Sequence, residues 1–394
     1  MRTVVDISTA LRWTDKNAVG IVRTEREIAR YLLLNADTHH VELIYFDREG
    51  QDFRRVTRLQ IISMFPEFEG VAQSKAADAP EFNALFIFAD KDTLISAGLQ
   101  WDIDFLSAIY LKKKKQRIRL VQVIYDVIPI LMPEYCVPGM DILFPKFIMD
   151  AAWTADVIYA ISESTKIDFI TYAGQLQISR IPPVRKINLG CDIPIAQGNK
   201  TSNFGLHKNE FVLYVSTIEP RKNHKMLFDI WRQLSVQEGL NLPKLIFVGN
   251  EGWNMENLVT SIESCPKLHP EKISILSNVT DKELEWLYTN AMFSIYPSLY
   301  EGWGLPIAES LARGTPCISS SSSSMPEVAG TFCDLIDPYD YVSWKKTIAR
   351  YITDPNIISS KKKYIQENYQ IETWSMAIAK FKADLDALPN DWMS

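Results

Sequence analysis

The sequence predicts an α/β protein of two doubly wound domains facing a cleft. Three observations carry this expectation. At 394 residues the chain is longer than one ordinary core organises. Short apolar runs alternate with stretches of helical periodicity along most of its length, the pattern of parallel sheets covered by helices on both faces. The alternation lapses at 191–209, "CDIPIAQGNKTSNFGLHKN", where Pro, Gly and Asn mark a linker.

In the first half, Thr3–Ile7, Val41–Phe46, Ala84–Phe88, Leu120–Tyr125 and Val157–Ile161 read as strands. They are short and apolar on both faces. Helical stretches such as Val22–Leu34 and Phe144–Thr154 lie between them. Beyond the linker the strands are Phe211–Val215, Leu245–Gly249, Ile273–Leu276, Phe293–Tyr296 and Cys317–Ser319. Thr280-x-x-Glu283 is a capping box that opens the helix "LEWLYTNAM". The serine run Ser319–Ser324 reads as a strand end and the loop after it. The expected domains are residues 1–190 and 205–371, and ligands of such folds bind in crevices beyond the strand ends.

Composition narrows the class. Hydrophobic residues make 47% and charged residues 23% of the chain, a globular balance. A net charge of −6 argues against a general nucleic-acid partner, which would be basic. The acidic excess lies beyond residue 190, so the first half is the better match for an anionic surface. Five cysteines without a C-x-x-C spacing suggest free thiols rather than a disulfide framework or a zinc site. The start, "MRTVVDISTALRW", is too polar for a signal peptide. No apolar run approaches the roughly 18 residues of a membrane span. A cytoplasmic location is expected, and Asn199-Lys-Thr201 and Asn278-Val-Thr280 then read as turn residues.

One stretch asks for a chemical explanation: "LYEGWGLPIAES", Leu299 to Ser310. Two acids, Glu301 and Glu309, flank a turn with two glycines and a proline. Pro306 fits the first turn of a helix, where its missing N–H costs nothing. Gly302 and Gly304 let the backbone turn sharply and approach a ligand. The amides from Gly304 through Leu305 to Ile307 are then donors at a helix N-terminus, an anion site. Phosphate suits those amides and hydroxyls suit the carboxylates, so a nucleotide sugar meets both demands. On spacing alone an ordinary helix start with acidic residues explains the pattern equally well. A second stretch, "YVSTIEPRKNHKML" from Tyr214, follows a strand and opens a helix. Its Arg221 and Lys222 can neutralise a diphosphate. His224 beside them reads as a helix-start residue.

Together these stretches resemble the retaining glycosyltransferases of family four, which have the two-Rossmann GT-B architecture. The resembling segments are Glu219–Asn223, Thr280–Ala291, Pro297–Pro316 with its Glu301-x7-Glu309 spacing, and Pro326–Gly330. The first half matches weakly, through Gly20–Arg23, Asp126 in "VIYDVIP", and "ISEST" from Ile161. The resemblance implies that Lys222 and Arg221 hold the donor diphosphate and that Glu309 takes the ribose hydroxyls. It places Glu301 at the donor sugar and the amides around Leu305 and Pro306 at the phosphates. Asp126, Thr217, Gly20 and Gly249 complete the expected site. Residues 1–190 are expected to bind acceptor, with a C-terminal helix from about 372 to 394 packing back on them. Departures are visible: Thr217 stands where many relatives have arginine, Tyr125 where they often have histidine, and Trp303 replaces a usual phenylalanine. Gly20 is a single glycine where relatives often have two.

The implied activity is hexosyl transfer with retention, from a nucleotide sugar (GDP-mannose as first donor) to a saccharide or lipid-linked saccharide in polysaccharide, O-antigen or capsule assembly. Charge growing on the leaving diphosphate would be met by Arg221, Lys222 and the helix-end amides. The alternative two-step route would use Glu301 or Asp126 as nucleophile. No metal is expected; Asp90-Lys-Asp92 and Asp102-Ile-Asp104 have a D-x-D form but read as local caps. Lys112, Lys113, Lys114 and Lys115 form a basic run, read either as a solvated helix end or as a weak contact with anionic lipid headgroups on the inner membrane face. Rival readings are a GT-B-shaped nucleotide-sugar epimerase and a noncatalytic binding subunit. A nicotinamide dehydrogenase lacks support, because Ile307 stands where a third glycine would.

Overall fold

The computed structural model describes residues 2–14, 20–35, 41–68, 82–193 and 204–389. The chain divides into two compact units, Met1–Gly190 with Thr373–Ser394, and Cys191–Glu372.

In the first unit the strands are β1 (Thr3–Asp6), β2 (Val41–Asp47), β3 (Asp52–Arg55), β4 (Thr93–Ser96), β5 (Arg119–Ile124), β6 (Val157–Ala160) and β7 (Val184–Lys186). Their order is β3-β2-β1-β4-β5-β6-β7. Every pairing is parallel except β2 with β3. The order reverses between β1 and β4, the doubly wound arrangement. The helix Trp374–Asp386 belongs to this unit. Its Asp384 accepts from the Tyr159 hydroxyl at 2.7 Å and pairs with Arg185. Phe381 meets the Tyr159 ring edge-on.

In the second unit β8 (Phe211–Val215), β9 (Lys244–Val248), β10 (Ile273–Leu276), β11 (Phe293–Tyr296), β12 (Cys317–Ser320) and β13 (Asp334–Ile336) form an all-parallel sheet. The order is β10-β9-β8-β11-β12-β13. Successive strand residues face opposite sides, and here both sides are covered. Val212, Tyr214, Leu245 and Phe247 enter one core with Trp231 and Trp344, while Phe211, Leu213, Ile246 and Val248 enter another with Leu287 and Tyr288. Each such side chain contributes roughly 1.5–3 kcal/mol on burial, which is why near-continuous apolar runs settle here as central strands. The expected capping box is present: Thr280 Oγ1 accepts from the Glu283 amide, and Glu283 Oε2 from the Thr280 amide.

Two elements differ from the sequence expectation. Ala84–Phe88 is not a strand of the sheet. Leu85 makes a single bridge to Arg54 at the β3 edge, with Phe86 and Phe88 turned inward and Leu85 and Ile87 exposed. The strand between β1 and β5 is Thr93–Ser96, fully buried. Both segments are short and apolar, and only long-range pairing separates them. The described ends of the 191–209 segment are also packed. Cys191 donates its amide to the Glu372 carbonyl at 2.9 Å, and Ile193 and Leu206 lie in the core beside Phe211. Its middle, with Asn199–Thr201, lies outside the described residues, as do the last residues of 372–394.

Candidate active site

The strand order of the second unit reverses between β8 and β11, and the loops that leave their C-terminal ends diverge there. Such a switch point is where doubly wound sheets hold ligands. The loop after β8 passes through Ser216 and Thr217 into a short 3₁₀ turn, Pro220–Lys222. Asn223 then takes a left-handed conformation, φ 61°, which Asn tolerates better than most residues. Its side-chain amide donates to the carbonyls of Pro297 and Pro338 at 3.3 and 3.1 Å. This fixes where the chain leaves Lys222 and starts the helix His224–Leu234.

The loop after β11 brings Glu301 to the same place. Its carboxylate is buried and meets Lys222 Nζ at 2.6 Å and the Arg221 guanidinium at 3.2 Å. Arg221 also pairs with Glu219 at 2.6 Å and donates to the Tyr300 carbonyl. The Tyr296 hydroxyl donates to Glu301 at 3.1 Å. Burial alone would raise the Glu301 carboxyl, but Lys222 and Arg221 outweigh it and hold the group down at about 2. The result is a desolvated, ionised carboxylate with two fixed cations. The sequence reading put the cations on diphosphate and the acid on sugar. The structure joins them directly, so Glu301 orients both cations.

Gly304 follows with φ 113° and caps the helix Leu305–Ala312, with Pro306 in its first turn. A side chain at Gly304 would be strained in that left-handed conformation. Glu309 is buried one turn in and accepts from the Tyr288 hydroxyl at 2.9 Å. At the ends of β8 and β9, Thr217 is exposed. Gly249 comes so close to the other loop that a Cβ would stand 2.0 Å from the Ser216 carbonyl oxygen.

The structure thus gathers Arg221, Lys222 and Glu301, and places Gly304, Leu305, Pro306, Glu309, Thr217 and Gly249 on the loops and helix of the same sheet end. Asp126 and Gly20 belong to the first unit. Asp126 follows β5 and accepts from the Ile128 amide at 2.9 Å. Gly20, at φ 52°, offers its carbonyl to the Thr24 amide and hydroxyl. Tyr125 is buried, donates to the Ala97 carbonyl at 2.6 Å, and is pushed well above its ordinary range mainly by burial.

His224 is a core residue. It is buried, lies 4.6 Å from the Tyr214 ring centre, and is lowered to about 3 by burial and by Lys222. Three of the D-x-D aspartates are ion-pair partners, and Asp92 also caps its turn locally, accepting from the Ala89 amide at 2.7 Å. Asp90 holds Arg117, Asp92 holds Arg2, and Asp102 is shared by Arg12 and Arg48. Asp104 stands at a helix start and makes no side-chain cap bond. Among the described residues, no group of three or more His, Cys, Asp or Glu side chains could hold a metal ion.

Several supporting residues escaped the sequence reading. Ser323 Oγ accepts from the Glu301 amide at 2.8 Å, and Ser324 donates to the carbonyls of Glu301 and Trp303. Ser323 does so from φ 50°, a strained conformation for a residue with a side chain. Tyr214 donates to the Lys222 carbonyl at 2.6 Å. The serine run was the visible signal, but its partner lies 22 positions earlier.

A doubly wound sheet end with paired cations, a buried acid and a helix N-terminus suits a glycosyltransferase, and the similarities of the chain support that class. Residues 199–371 match the family model described as glycosyl transferases group 1. The chain is 24% identical over 379 residues to O-antigen chain mannosyltransferase B of Escherichia coli, covering 88% of this chain and 90% of that protein. It is 26% identical over 346 residues to the serotype-specific mannosyltransferase WbdA of the same species, covering 83% of this chain and 40% of that one. In fold it is similar to Anabaena HepE in complex with UDP and glucose, with a TM-score of 0.63 at 16% identity over 98% of this chain and all of that one. Sucrose-phosphate synthase of Thermosynechococcus elongatus gives the same TM-score at 14% identity, again covering 98% and 100%.

Proposed function

We propose that the chain transfers mannose from GDP-mannose, with retention of anomeric configuration, to a saccharide or lipid-linked saccharide during surface-polysaccharide assembly. The observation that carries the reading is the meeting of Lys222, Arg221 and Glu301 at the β8/β11 switch point, beside the N-terminus of the helix Leu305–Ala312. A diphosphate arriving there replaces Glu301 as counterion to one or both cations. The helix-end amides add donors without reorganisation. As the sugar–phosphate bond breaks with oxocarbenium character, charge grows where these groups already point. A phosphate oxygen takes the proton of the acceptor hydroxyl, which attacks from the same face. Glu301, held ionised by two cations, serves to position them and the sugar rather than to form a covalent intermediate. The donor mannose and the O-antigen context are supported by the relatives that cover most of this chain.

Residues 1–190 select the acceptor in this reading, and no metal takes part. The enzyme works in the cytoplasm, with the lysine run bringing it to a lipid-linked acceptor at the inner membrane face. Among the described residues no helix is long and apolar enough to cross a membrane. The test is a thermal-shift panel of GDP, UDP, ADP and dTDP with their sugars, followed by product anomer analysis by NMR with the best donor. Ligand that binds only the native state raises its stability by mass action. A GDP-mannose response above the others, and an α-mannoside product, is the expected result. A response confined to another base, or inversion at the anomeric carbon, defeats the reading.

A further inference from the structure

The helix Met140–Thr154 of the first unit is apolar on more sides than its own core uses. One face carries Phe144, Phe147, Ile148 and Ala151 into the core with Phe105 and Ile109. The opposite face is also apolar. Ile142, Met149 and Trp153 stand on one stripe with Lys146 between them, at the i, i+4, i+7, i+11 spacing of a single helix side. Ile142 is 74% and Trp153 63% exposed, with Leu143 on the flank at 44%. A soluble helix normally shows water a polar face, so this one lacks a partner.

The basic run lies at the end of the same stripe. Lys113 reaches from the helix Phe105–Lys113 to the Thr154 carbonyl at 2.8 Å and pairs with Asp156. This pins the lysines beside Trp153. Lys112 is likewise held, by Asp52 at 2.8 Å. Of the acids near the patch, Asp150 is countered by Lys146 and Asp156 by Lys113, while the exposed Asp141 makes no ion pair among the described residues. Lys114 and Lys115 are exposed and make no ion pair among the described residues; Lys114 lies 4.6 Å over the exposed Tyr110 ring. Leu111 beside them is 60% exposed.

We propose that this face seats on an anionic lipid bilayer. Ile142, Met149, Trp153 and Leu111 enter the headgroup boundary, while Lys114 and Lys115 meet the lipid phosphates. Exposed aliphatics with a tryptophan and free lysines at the rim are the composition of an interfacial helix. Two uncountered lysines against one uncountered acid, Asp141, leave the patch net positive, which favours an anionic surface over an apolar groove on another protein. The structure also corrects the simple reading of the lysine run, because two of its four members are committed to carboxylates of this chain. The proposal rests on the surface alone and not on the identity of the donor.

The test is co-sedimentation of the full chain with vesicles of phosphatidylcholine, with and without phosphatidylglycerol. Binding only to the anionic vesicles, weakened by salt, is the expected result. Lys114→Glu with Lys115→Glu should cut the partition constant by well over tenfold, since each lost lysine alone accounts for about fivefold. Ile142→Ser with Trp153→Ser should abolish binding in low salt as well. Both pairs are surface changes, and an unchanged thermal midpoint verifies that the fold persists. No binding by the unaltered protein overturns the proposal, as does binding that survives the Ile142/Trp153 pair. A dimer in size-exclusion chromatography that this pair dissociates overturns it in favour of a second copy of the chain.

Discussion

The two units share a doubly wound topology and differ in what they bury at its switch point. In the second, Glu301 sits between Lys222 and Arg221 and is ionised, held at about 2. In the first, Asp6 at the end of β1 and Glu25 on the helix Ile21–Asn35 are both fully buried. Among the described residues they meet no cation at hydrogen-bond distance. Asp6 accepts from Ser8 and from the Gln100 amide at 2.7 Å, Glu25 from the Ala10 amide. Burial pushes Asp6 up to about 6 despite those bonds, with Arg12 a weaker opposing influence. Burial and then Asp6 push Glu25 well above its usual range. One sheet end favours the ionised carboxylate and the other disfavours it. The topology offers the crevice, and the side chains decide whether an anion has a place in it.

The comparison is broken most sharply at Glu301. Glu301→Gln leaves the half-buried Lys222 without its counterion and Arg221 with Glu219 alone. Losing one partner of a buried pair costs about 3–5 kcal/mol, and kcat/KM should fall by about 10²–10³ as the cations lose their alignment. Lys222→Met should lower kcat/KM by a similar factor. The two variants part in nucleotide binding. GDP should raise the thermal midpoint of Glu301→Gln by more than that of the unaltered protein, because the diphosphate supplies the missing negative charge. In Lys222→Met the GDP shift should nearly vanish. Equal GDP shifts in all three proteins would show that these cations do not meet the diphosphate.

The pH response sharpens the same contrast, with opposite signs in the two units. Glu301 is depressed from 4.5 to about 2. Its stabilisation is present above pH 4.5 and is lost as pH falls toward 2, about 3 kcal/mol in all. Asp6 is raised from 3.8 to about 6. Below pH 3.8 it is protonated folded or unfolded and has no linkage effect. Between pH 3.8 and 6 the unfolded chain releases a proton that the folded chain keeps, so stability falls by about 3 kcal/mol and stays lower above pH 6. The groups facing Asp6 are Glu25, Ser8, Gln100 and Arg12, and Tyr125 lies against Glu25. Asp6→Asn should match the unaltered protein in urea titrations at pH 4 and exceed it at pH 7. The new amide finds an acceptor in Gln100 Oε1, which has none of its own. A variant weaker at pH 7 would show that Asp6 is ionised and stabilising.

The difference between the units also explains what could be read from sequence. The Glu301-x7-Glu309 pattern and "EPRKN" lie in short loops between strongly patterned strands, so their local geometry follows from few residues. What stayed hidden was the pairing of Glu301 with Lys222, 79 positions apart, because strand order brings them together and no local rule specifies it. Glu25 was hidden for a related reason. It stands in "TEREIAR", which reads as a charged helix surface, yet it is fully buried. The choice between Ala84–Phe88 and Thr93–Ser96 for the slot beside β1 is again a matter of pairing partners. Patterning gave the two sheets; the partners that set charge at each sheet end come from the fold.

Glycine substitution tests the two sheet ends on steric grounds, with a smaller effect. A Cβ at Gly249 would stand 2.0 Å from the backbone oxygen of Ser216, which cannot rotate aside. Gly249→Ala should cost about 3 kcal/mol of stability and weaken GDP binding by moving the loop that carries Thr217. Gly20 has φ 52° and open space around the would-be Cβ, so Gly20→Ala should cost only about 1 kcal/mol for the left-handed backbone. Thermal denaturation of the two variants side by side checks the ranking. Equal losses would mean that β8 and β9 can separate freely at their ends.

The smallest expected effect concerns a buried donor that the free protein leaves unused. Among the described residues the Trp303 indole N–H has no hydrogen-bond partner, in a loop whose carbonyls are held by Ser324. In the first unit the unpaired buried atoms near the sheet end include acceptors, Glu25 Oε1 and Gln100 Oε1. An unpaired buried N–H costs about 1–3 kcal/mol, so it stands against stability beside the proposed diphosphate site. Trp303→Phe should therefore leave the free protein as stable as before, or up to about 1 kcal/mol more stable once lost ring area is offset. GDP-mannose binding, measured by calorimetry, should weaken by about five- to tenfold, the worth of one neutral hydrogen bond. Unchanged affinity together with lowered stability would show that the indole acts only as packing, and that charge alone distinguishes this sheet end from the other.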